Sequence, residues 1–380
     1  MKKKKLFLLH DIPYPDVDGG KKLSLGRIME SAKEFEIIVI AFNYQGINDT
    51  EAIEFFNNKK ISFFCYDPKP KKQGFSKIIK YLYSLFTKYP AYYTRLNDKS
   101  FTIYINNILK GINVNEVSIE TIFLISQLEQ FIKNVNSIEI VFHNVESLFF
   151  KELSKSSTKL YKKIVYLIES KKINNLEKII SKKINNENSI FPVCLSRKDS
   201  KIYQDNFKFD SSKIRINKNK IYLESTIEHT PNIKNPYFLF PGSIEFPPNK
   251  EAILWFLEEY VKIFKEPIKV LITGKYTEST KKEFCKYKFI EFSGFISNEN
   301  LINYYKNCIC VISPIISGGG IKIKNIETIA LSIPLLMTEF SSIGIYCKNN
   351  KLIRISKNNP IDFTKKLMYF YGDIRRGTIC

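Results

Sequence analysis

The sequence lacks a long apolar run, a paired-cysteine motif and an abundance of histidine. No apolar stretch approaches the roughly 20 residues of a membrane-spanning helix. The apolar part of the basic start, Leu6 to Leu9, is shorter than the roughly 7 to 15 residues that a secretory signal requires. The 7 cysteines form no CxxC pair, which argues against a disulfide framework or zinc site and suits a reducing cytosol. We therefore expect a cytoplasmic protein that is soluble or attached to a membrane surface.

Positively charged residues outnumber negatively charged ones. With 59 Lys and Arg against 38 Asp and Glu, the formal net charge is +21, which indicates anionic partners such as lipid headgroups, phosphorylated substrates or nucleic acid. The alternative is a merely solvated surface, because many lysines occur in stretches such as "KKINNLEKIISKKINNEN". No nucleic-acid-binding module and no aromatic-studded basic sheet is recognisable, so we expect no nucleic acid partner.

Short apolar runs alternate with helical patterns, which predicts an α/β fold with parallel sheets. At 380 residues the chain exceeds the size of a single core. We predict two doubly wound, Rossmann-like domains, residues 1–214 and 215–380, with the last helix of the second able to pack back on the first. The predicted strands are 5–9, 36–42, 61–65, 121–126 and 138–142, then 237–243, 268–274, 289–295, 308–314 and 333–339.

Glycines and polar residues directly follow several predicted strands, where doubly wound sheets bind ligands. Gly19 and Gly20 follow the first strand in "DIPYPDVDGG", and His143 opens "HNVES". In the second domain, Gly242 and Ser243 occur in "PGSIEFPPNKEAI", and "ISPIISGGGIKIKNIETIALSIPLL" contains the triple glycine 318–320.

The triple glycine precedes a helix whose first turn carries Lys322 and Lys324. Cations near a helix N-terminus oppose the macrodipole by a few tenths to about 1 kcal/mol each. An anion there would be bound by backbone amides, helix dipole and lysines together, which predicts a diphosphate site. Glu327 lies one turn further along the same face as Lys324, and the alternative for this pair is a surface salt bridge.

These motifs, in this order along residues 5–345, resemble bacterial family 4 glycosyltransferases. The resemblance implies the GT-B fold, in which two Rossmann-like domains face a cleft, and metal-independent, retaining transfer of a sugar from a nucleotide-diphosphate sugar. The acceptor would be a glycan or a polyprenyl-diphosphate-linked saccharide in bacterial surface polysaccharide synthesis. No cofactor is implied. Alternatives are an inactive or partner-dependent subunit and a nucleotide-sugar epimerase of the same fold.

The resemblance also implies roles for individual residues. Glu327 would accept hydrogen bonds from the donor ribose hydroxyls, and His143 would donate a hydrogen bond near the transferred sugar, so both are expected at the catalytic site. The diphosphate and ribose would lie near Gly242, Ser243, Lys250, Gly318, Gly319, Gly320, Lys322, Lys324 and Glu327. Gly19 and Gly20 would lie near the acceptor or diphosphate, the alternative being a plain tight turn. Many family members have a glutamate where this chain has Gly319.

Two further stretches have competing interpretations. Asp16 and Asp18 form an Asp-x-Asp pair, but their place in the first loop argues against a metal site. Residues 74–95 combine an apolar helical face with Lys77, Lys80 and Lys88 at its flanks. This pattern is typical of a helix lying on anionic membrane; the alternative is a helix packed on its own domain.

Overall fold

The computed structural model describes residues 2–16, 18–68, 86–157, 159–217, 220–223, 226–345 and 350–378. The chain folds as two compact units, Met1–Tyr222 and Leu223–Cys380. The boundary lies after residue 214 because a short strand at Arg215–Ile216 still pairs with the first sheet. Within the described ranges, no helix is long and apolar enough to cross a membrane. Most of the stretch 74–95 falls outside the described residues.

The first unit is built on a parallel sheet of seven strands in the order β3-β2-β1-β4-β5-β6-β7. The strands are β1 (Lys4–Leu9), β2 (Glu36–Phe42), β3 (Ser62–Tyr66), β4 (Glu116–Ile119), β5 (Ser137–Phe142), β6 (Ile190–Cys194) and β7 (Arg215–Ile216). The helices are α1 (Gly19–Ser31), α2 (Thr50–Asn58), α3 (Ala91–Leu96), α4 (Lys99–Leu109), α5 (Glu146–Ser156), α6 (Leu160–Asn186) and α7 (Arg197–Phe207).

The central strands of this sheet are buried on both faces, as their unbroken apolar runs predict. Alternate residues of β1 enter two separate cores, with Leu6 and Leu8 in one and Phe7 and Leu9 in the other. Helices therefore cover both faces, and the polar residues that follow each strand collect at the carboxyl edge of the sheet.

The predicted strand at 121–126 is wrong. Residues Ile122–Gln130 form a 3-10 helix, started by Thr121, whose side chain accepts a hydrogen bond from Phe123 N. The strand lies just before it, at β4, where Val117 and Ile119 are fully buried. An apolar run of this length fits a buried strand or a buried helix, and periodicity alone does not separate the two. The strand β6 was not predicted; it contains Pro192, a residue that is unusual inside a sheet.

The second unit is built on a six-stranded parallel sheet in the order β10-β9-β8-β11-β12-β13. Its strands are β8 (Tyr237–Phe240), β9 (Lys269–Thr273), β10 (Ile290–Gly294), β11 (Cys310–Ser313), β12 (Leu335–Thr338) and β13 (Ile353–Ser356). Its helices are α8 (Pro247–Ile263), α9 (Glu278–Phe284), α10 (Asn298–Asn307), α11 (Ile323–Ala330) and α12 (Pro360–Arg375). The last helix, α12, packs on the second unit itself, where Phe363, Leu367 and Phe370 are buried in the core.

Candidate functional site

The second sheet reverses its strand order between β8 and β11, which pair directly with each other. Such a reversal separates the loops that leave the two strands and opens a crevice at the carboxyl edge of the sheet. Gly242 and Ser243 follow β8, and the triple glycine 318–320 follows β11. The two glycine-containing loops predicted from the sequence therefore leave adjacent strands.

Lys324 is the residue of α11 that connects these loops. Its Nζ donates a hydrogen bond to Asn249 Oδ1 at 3.1 Å and lies 3.7 Å from the ring centroid of Phe240. Among the described residues no ion pair of Lys324 with Glu327 is observed, and Lys322 is the one charged group that acts on it noticeably. Burial, followed by the charge of Lys322, holds the pKa of the Lys324 ammonium well below its usual value. A bound anion would relieve this destabilisation of the charged form.

Gly242 lies beside this amine, and its backbone requires glycine. Its φ is 127°, and an added Cβ would lie 3.3 Å from Asn249 Nδ2 and 3.7 Å from Lys324 Nζ. Asn249 Nδ2 also donates to the carbonyl oxygen of Ser243 at 2.8 Å. A side chain at position 242 would therefore occupy the space in front of the lysine. Asn249 was not among the predicted site residues, although it lies in the first turn of α8, the helix that follows β8.

Two residues of the triple glycine have positive φ angles, and the loop contacts the first turn of α8 and the residue before α11. Gly318 has a φ of 94° and Gly320 a φ of 66°. A Cβ at Gly318 would lie 3.1 Å from Pro248 Cγ in the first turn of α8. Lys322 Nζ donates to the carbonyl oxygens of Gly319 and Gly320 at 3.0 and 3.1 Å. Lys322 thus stabilises the loop conformation, whereas Lys324 points at the neighbouring loop.

Glu327 is anchored by a buried tyrosine. The hydroxyl of Tyr305 on α10 donates to Glu327 Oε2 at 3.2 Å, and Tyr305 is fully buried. Burial and the adjacent carboxylate raise the pKa of Tyr305 well above its usual value, so the phenol is neutral and acts as donor. One carboxylate oxygen is therefore oriented by the protein. The second oxygen can accept from a ligand, since a carboxylate has about four acceptor positions.

Lys250 has a different environment from the other predicted residues of this unit. Its Nζ pairs with Glu283 on α9 at 2.5 Å. Ser243 Oγ donates to the carbonyl oxygen of Lys275 at 2.8 Å, which ties the loop after β8 to the loop after β9. The structure therefore brings Gly242 and Lys324 together, and gives Lys250 a partner on another helix.

In the first unit, His143 directly follows β5. Its Nε2 lies 2.9 Å from the carbonyl oxygen of Glu120, and because a carbonyl only accepts, Nε2 carries the proton. Burial lowers the pKa of His143, which favours the neutral ring. A neutral ring with its proton on Nε2 presents Nδ1 as an acceptor. The hydrogen bond that the resemblance implies His143 to donate is thus directed to the protein's own backbone.

The chain directly after β1 supplies polar groups that the sequence analysis did not single out. His10 Nδ1 is buried without a hydrogen-bond partner among the described residues. Burial and the nearby His143 lower the pKa of His10 to about 4. Lys21 Nζ forms a buried ion pair with Asp11 Oδ2 at 3.2 Å. The signal that was overlooked is position: His10 and Asp11 occupy the carboxyl end of the first strand.

Gly19 and Gly20 form the first turn of α1. Asp18 caps this helix, because its Oδ1 accepts a hydrogen bond from Lys21 N at 3.0 Å. A Cβ at Gly20 would lie 3.3 Å from that carboxylate oxygen. The second aspartate of the Asp-x-Asp pair therefore serves as a helix cap. No group of three or more His, Cys, Asp or Glu that could hold a metal ion occurs among the residues that the structure describes.

The backbone around His143 is held from behind by two buried side chains. The hydroxyl of Tyr203 on α7 lies 3.0 Å from the carbonyl oxygen of Asn144 and 2.9 Å from Glu177 Oε1 on α6, and its one proton is shared between these two acceptors. Glu177 is fully buried, and burial raises its pKa to about 7. This arrangement fixes the "HNVES" turn to two helices and so orients His143.

Comparison with known proteins agrees with this architecture. Residues 235–373 match the family model described as Glycosyl transferases group 1. An uncharacterised 44.6 kDa protein in the cps region of Klebsiella pneumoniae is 25% identical over 242 residues, covering 61% of this chain and 59% of that protein. The match thus spans less than two thirds of that relative's length.

Solved structures resemble the chain over nearly its whole length. TarM superposes with a TM-score of 0.66 at 12% identity, covering 100% of this chain and 96% of TarM. An S. aureus TarM mutant in complex with UDP, Fondaparinux and α-GlcNAc-glycerol superposes with a TM-score of 0.64 at 10% identity, covering 99% and 94%. WaaG, a glycosyltransferase involved in lipopolysaccharide biosynthesis, has a TM-score of 0.60 at 11% identity, covering 98% and 92%. The second unit therefore matches the Glycosyl transferases group 1 model over most of its length, and the chain has the GT-B fold.

Proposed function

We propose that this protein is a retaining glycosyltransferase that moves a sugar from a nucleotide-diphosphate sugar to a glycan or lipid-linked acceptor. The observation that carries the proposal is the Lys324 amine, which has no ion-pair partner among the described residues and faces Gly242 and Asn249 where the strand order reverses. A partly buried cation beside glycine backbone suits a diphosphate, because charge-assisted hydrogen bonds to phosphate are strong. The match of this unit to a glycosyltransferase family supports the same conclusion.

In this proposal the second unit binds the donor. The diphosphate lies near Lys324, Gly242 and Ser243, with the glycine loop 318–320 contributing backbone amides and Lys322 maintaining the loop. Glu327, oriented by Tyr305, accepts the ribose hydroxyls. Lys250 contributes charge at the start of α8 and is expected to matter less, since Glu283 already neutralises it.

The first unit contributes His143 and the glycines of α1. With Nε2 committed to Glu120, His143 accepts a hydrogen bond from a sugar hydroxyl through Nδ1 and so positions the sugar. Gly19 and Gly20 border the acceptor or the diphosphate. The leaving diphosphate takes the acceptor's proton during attack on the same face of the sugar. Catalysis then depends mainly on positioning and on stabilising the charge of the leaving group.

The acceptor that we propose is carried on a polyprenyl diphosphate in surface polysaccharide assembly at the cytoplasmic face of the membrane. A similarity that supports this is the relative encoded in a cps region, together with WaaG in lipopolysaccharide biosynthesis. The net charge of +21 favours a protein that works beside anionic lipid. Metal-independent action is part of the proposal, because lysine and backbone amides can supply the charge stabilisation that a metal provides elsewhere.

The proposal is tested by measuring UDP and other nucleoside diphosphate binding by calorimetry in the presence of a chelator. We expect the wild-type protein to bind a nucleoside diphosphate under these conditions, and we expect Lys324→Gln to lower the affinity. The matched control is Lys269→Gln. Lys269 belongs to the same unit but begins β9, at the end of the strand opposite to the site, and pairs with Glu291. Loss of binding in chelator would contradict metal independence, and equal affinity in Lys324→Gln and wild type would contradict the site.

Transfer itself requires an assay of products. Nucleotide sugars are screened against lipid-linked acceptors, and the anomeric configuration of the product is read by NMR. Retention supports the proposed reaction, whereas inversion contradicts it. A donor-only reaction serves as the control, because an epimerase would convert the nucleotide sugar without an acceptor, and nucleotide binding without any turnover would indicate the partner-dependent alternative.

A further inference from the structure

The first half of α6 exposes an apolar stripe. Leu160 is 72% exposed, Ile164 49% and Leu167 43%, and Tyr161 beside them is 60% exposed. Residues spaced four and three apart share one face of a helix. The opposite face of the same helix is buried, with Val165 and Ile173 packed in the unit. The stripe therefore lies on the solvent-facing side of a helix whose other side is packed in the core.

The charge around this stripe has one sign. Residues 159–172 contain five lysines, at positions 159, 162, 163, 171 and 172, and Glu169 as the single acidic residue, whereas Lys155 before them pairs with Glu152 at 2.8 Å. Glu169 is buried, accepts a hydrogen bond from Ala91 N at 2.9 Å and lies 3.6 Å from Lys172 Nζ. Its charge is therefore directed inward, and Lys159, Lys162, Lys163 and Lys171 are exposed around the apolar residues.

Further exposed aromatic residues precede α3. The hydrogen bond from Ala91 N to Glu169 places the start of α3 against α6. Tyr89, two residues before Ala91, is 37% exposed and packs against Tyr93 at a centroid distance of 4.8 Å, and Phe86 is 88% exposed. Apolar exposure thus continues from α6 to the segment beside it within the same unit.

We propose that this surface, formed by Leu160, Tyr161, Ile164 and Leu167 with Lys159, Lys162, Lys163 and Lys171, docks on an anionic lipid bilayer. The inference extends the proposed lipid-linked acceptor by naming the face of the protein that meets the membrane. Charge complementarity selects the partner: lysines reach phosphate headgroups while the apolar stripe enters the boundary of the acyl chains. A nucleic acid would use the lysines and leave the aliphatic stripe in water.

The test is flotation of the full chain with vesicles of phosphatidylcholine alone or mixed with phosphatidylglycerol. One variant, Ile164→Gln with Leu167→Gln, removes the stripe, and another, Lys162→Gln with Lys163→Gln, removes charge. Glutamine retains helix propensity, so both variants should fold. We expect wild type to bind only the mixed vesicles and to dissociate at high salt, because salt screens surface charge. Each double variant should lose affinity about tenfold or more.

Matched controls lie on the same helix. Ile179 is 39% exposed and lies 12 positions after Leu167, about 18 Å along the helix axis. Ile179→Gln, and Lys178→Gln with Lys182→Gln, should bind vesicles as wild type does. The proposal is overturned if the stripe and charge variants float like wild type, which would mean that another part of this chain binds the vesicles. It is also overturned if the controls lose as much affinity.

Nucleotide binding separates this inference from the proposed function. UDP affinity in solution should be unchanged in all of the α6 variants, since α6 belongs to the first unit and the donor site to the second. If wild type floats with anionic vesicles but binds no nucleotide, the transferase proposal fails and the docking surface stands. If UDP binds but vesicles do not, the docking surface alone is contradicted.

Discussion

Glu327 offers the sharpest test of the candidate site, because the structure predicts different results for a ligand-binding role and a structural role. The replacement Glu327→Ala removes the acceptor of the Tyr305 hydroxyl, which is fully buried. A buried donor left without a partner costs about 1 to 3 kcal/mol of folding free energy. The variant should therefore unfold at lower denaturant concentration regardless of function.

If Glu327 also binds the donor ribose, Glu327→Ala leaves two ligand hydroxyls without their acceptor. The additional cost in transition-state binding is about 2 to 4 kcal/mol, which lowers kcat/KM by roughly 30-fold to 1,000-fold. Glu327→Gln keeps one acceptor oxygen and should retain part of this activity. Nucleotide affinity by calorimetry and initial transfer rates are the measurements, with denaturant unfolding as the check on folding.

Tyr305→Phe is the matched control for the structural part. It removes the hydroxyl and its hydrogen bond to Glu327 but leaves the carboxylate, and we expect a loss of about 1 kcal/mol in stability with a small loss of activity. Equal activity losses in Tyr305→Phe and Glu327→Ala would mean that the carboxylate acts only through its contact with Tyr305. An Ala variant that folds and turns over like wild type would refute the ribose assignment altogether.

Three other predictions concern charge and backbone. Because the pKa of Lys324 is lowered in the free protein, a bound anion should raise that pKa, so that binding takes up a proton and weakens as pH rises. Calorimetry in buffers of different ionisation enthalpy measures the proton uptake, and binding without proton uptake would contradict this prediction. Glu177 has a pKa raised to about 7, so the folded state binds more protons than the unfolded state between about pH 4.5 and 7. Its contribution to the free energy of unfolding should therefore fall as pH rises through that window, by at most about 1.4 kcal/mol per pH unit, and Glu177→Gln should flatten the profile obtained by denaturant titration. Gly242→Ala, at a φ of 127°, should weaken nucleotide binding at least tenfold, about 1.4 kcal/mol, whereas Gly46→Ala, strained likewise but with open space at its Cβ, should lower only stability.

The alternation of short apolar runs and helical patterns predicted the α/β class and most of the sheet strands. Strands such as β1 and β2 carry uninterrupted apolar residues because both faces of a parallel sheet are covered by helices. The run at 121–126 misled for the same reason, since a buried 3-10 helix is equally apolar. Position relative to strands also predicted the glycine loops and His143, because ligand loops follow strand ends in this fold class.

What each side chain contacts could not be predicted in this way. Lys322 and Lys324 are two residues apart and equivalent in sequence terms, but one binds the carbonyls of its own loop and the other binds Asn249 on a different helix. Likewise, nothing in "HNVES" indicates that the proton of His143 is directed at the carbonyl oxygen of Glu120. Both contacts join elements that are distant in sequence.

The sequence alone determined the two parallel-sheet domains, the excess of positive charge and the loops in which a phosphate site would lie, because periodicity, composition and strand-end position are local properties. Only the tertiary structure decided which lysine faces the glycine backbone, which tyrosine orients Glu327 and which helix leaves an apolar stripe in water. These depend on the pairing of β8 with β11 and on the packing of α6 against its neighbours. Such pairings bring together residues tens of positions apart, and the free energy of burying a whole core, rather than any local preference, selects them.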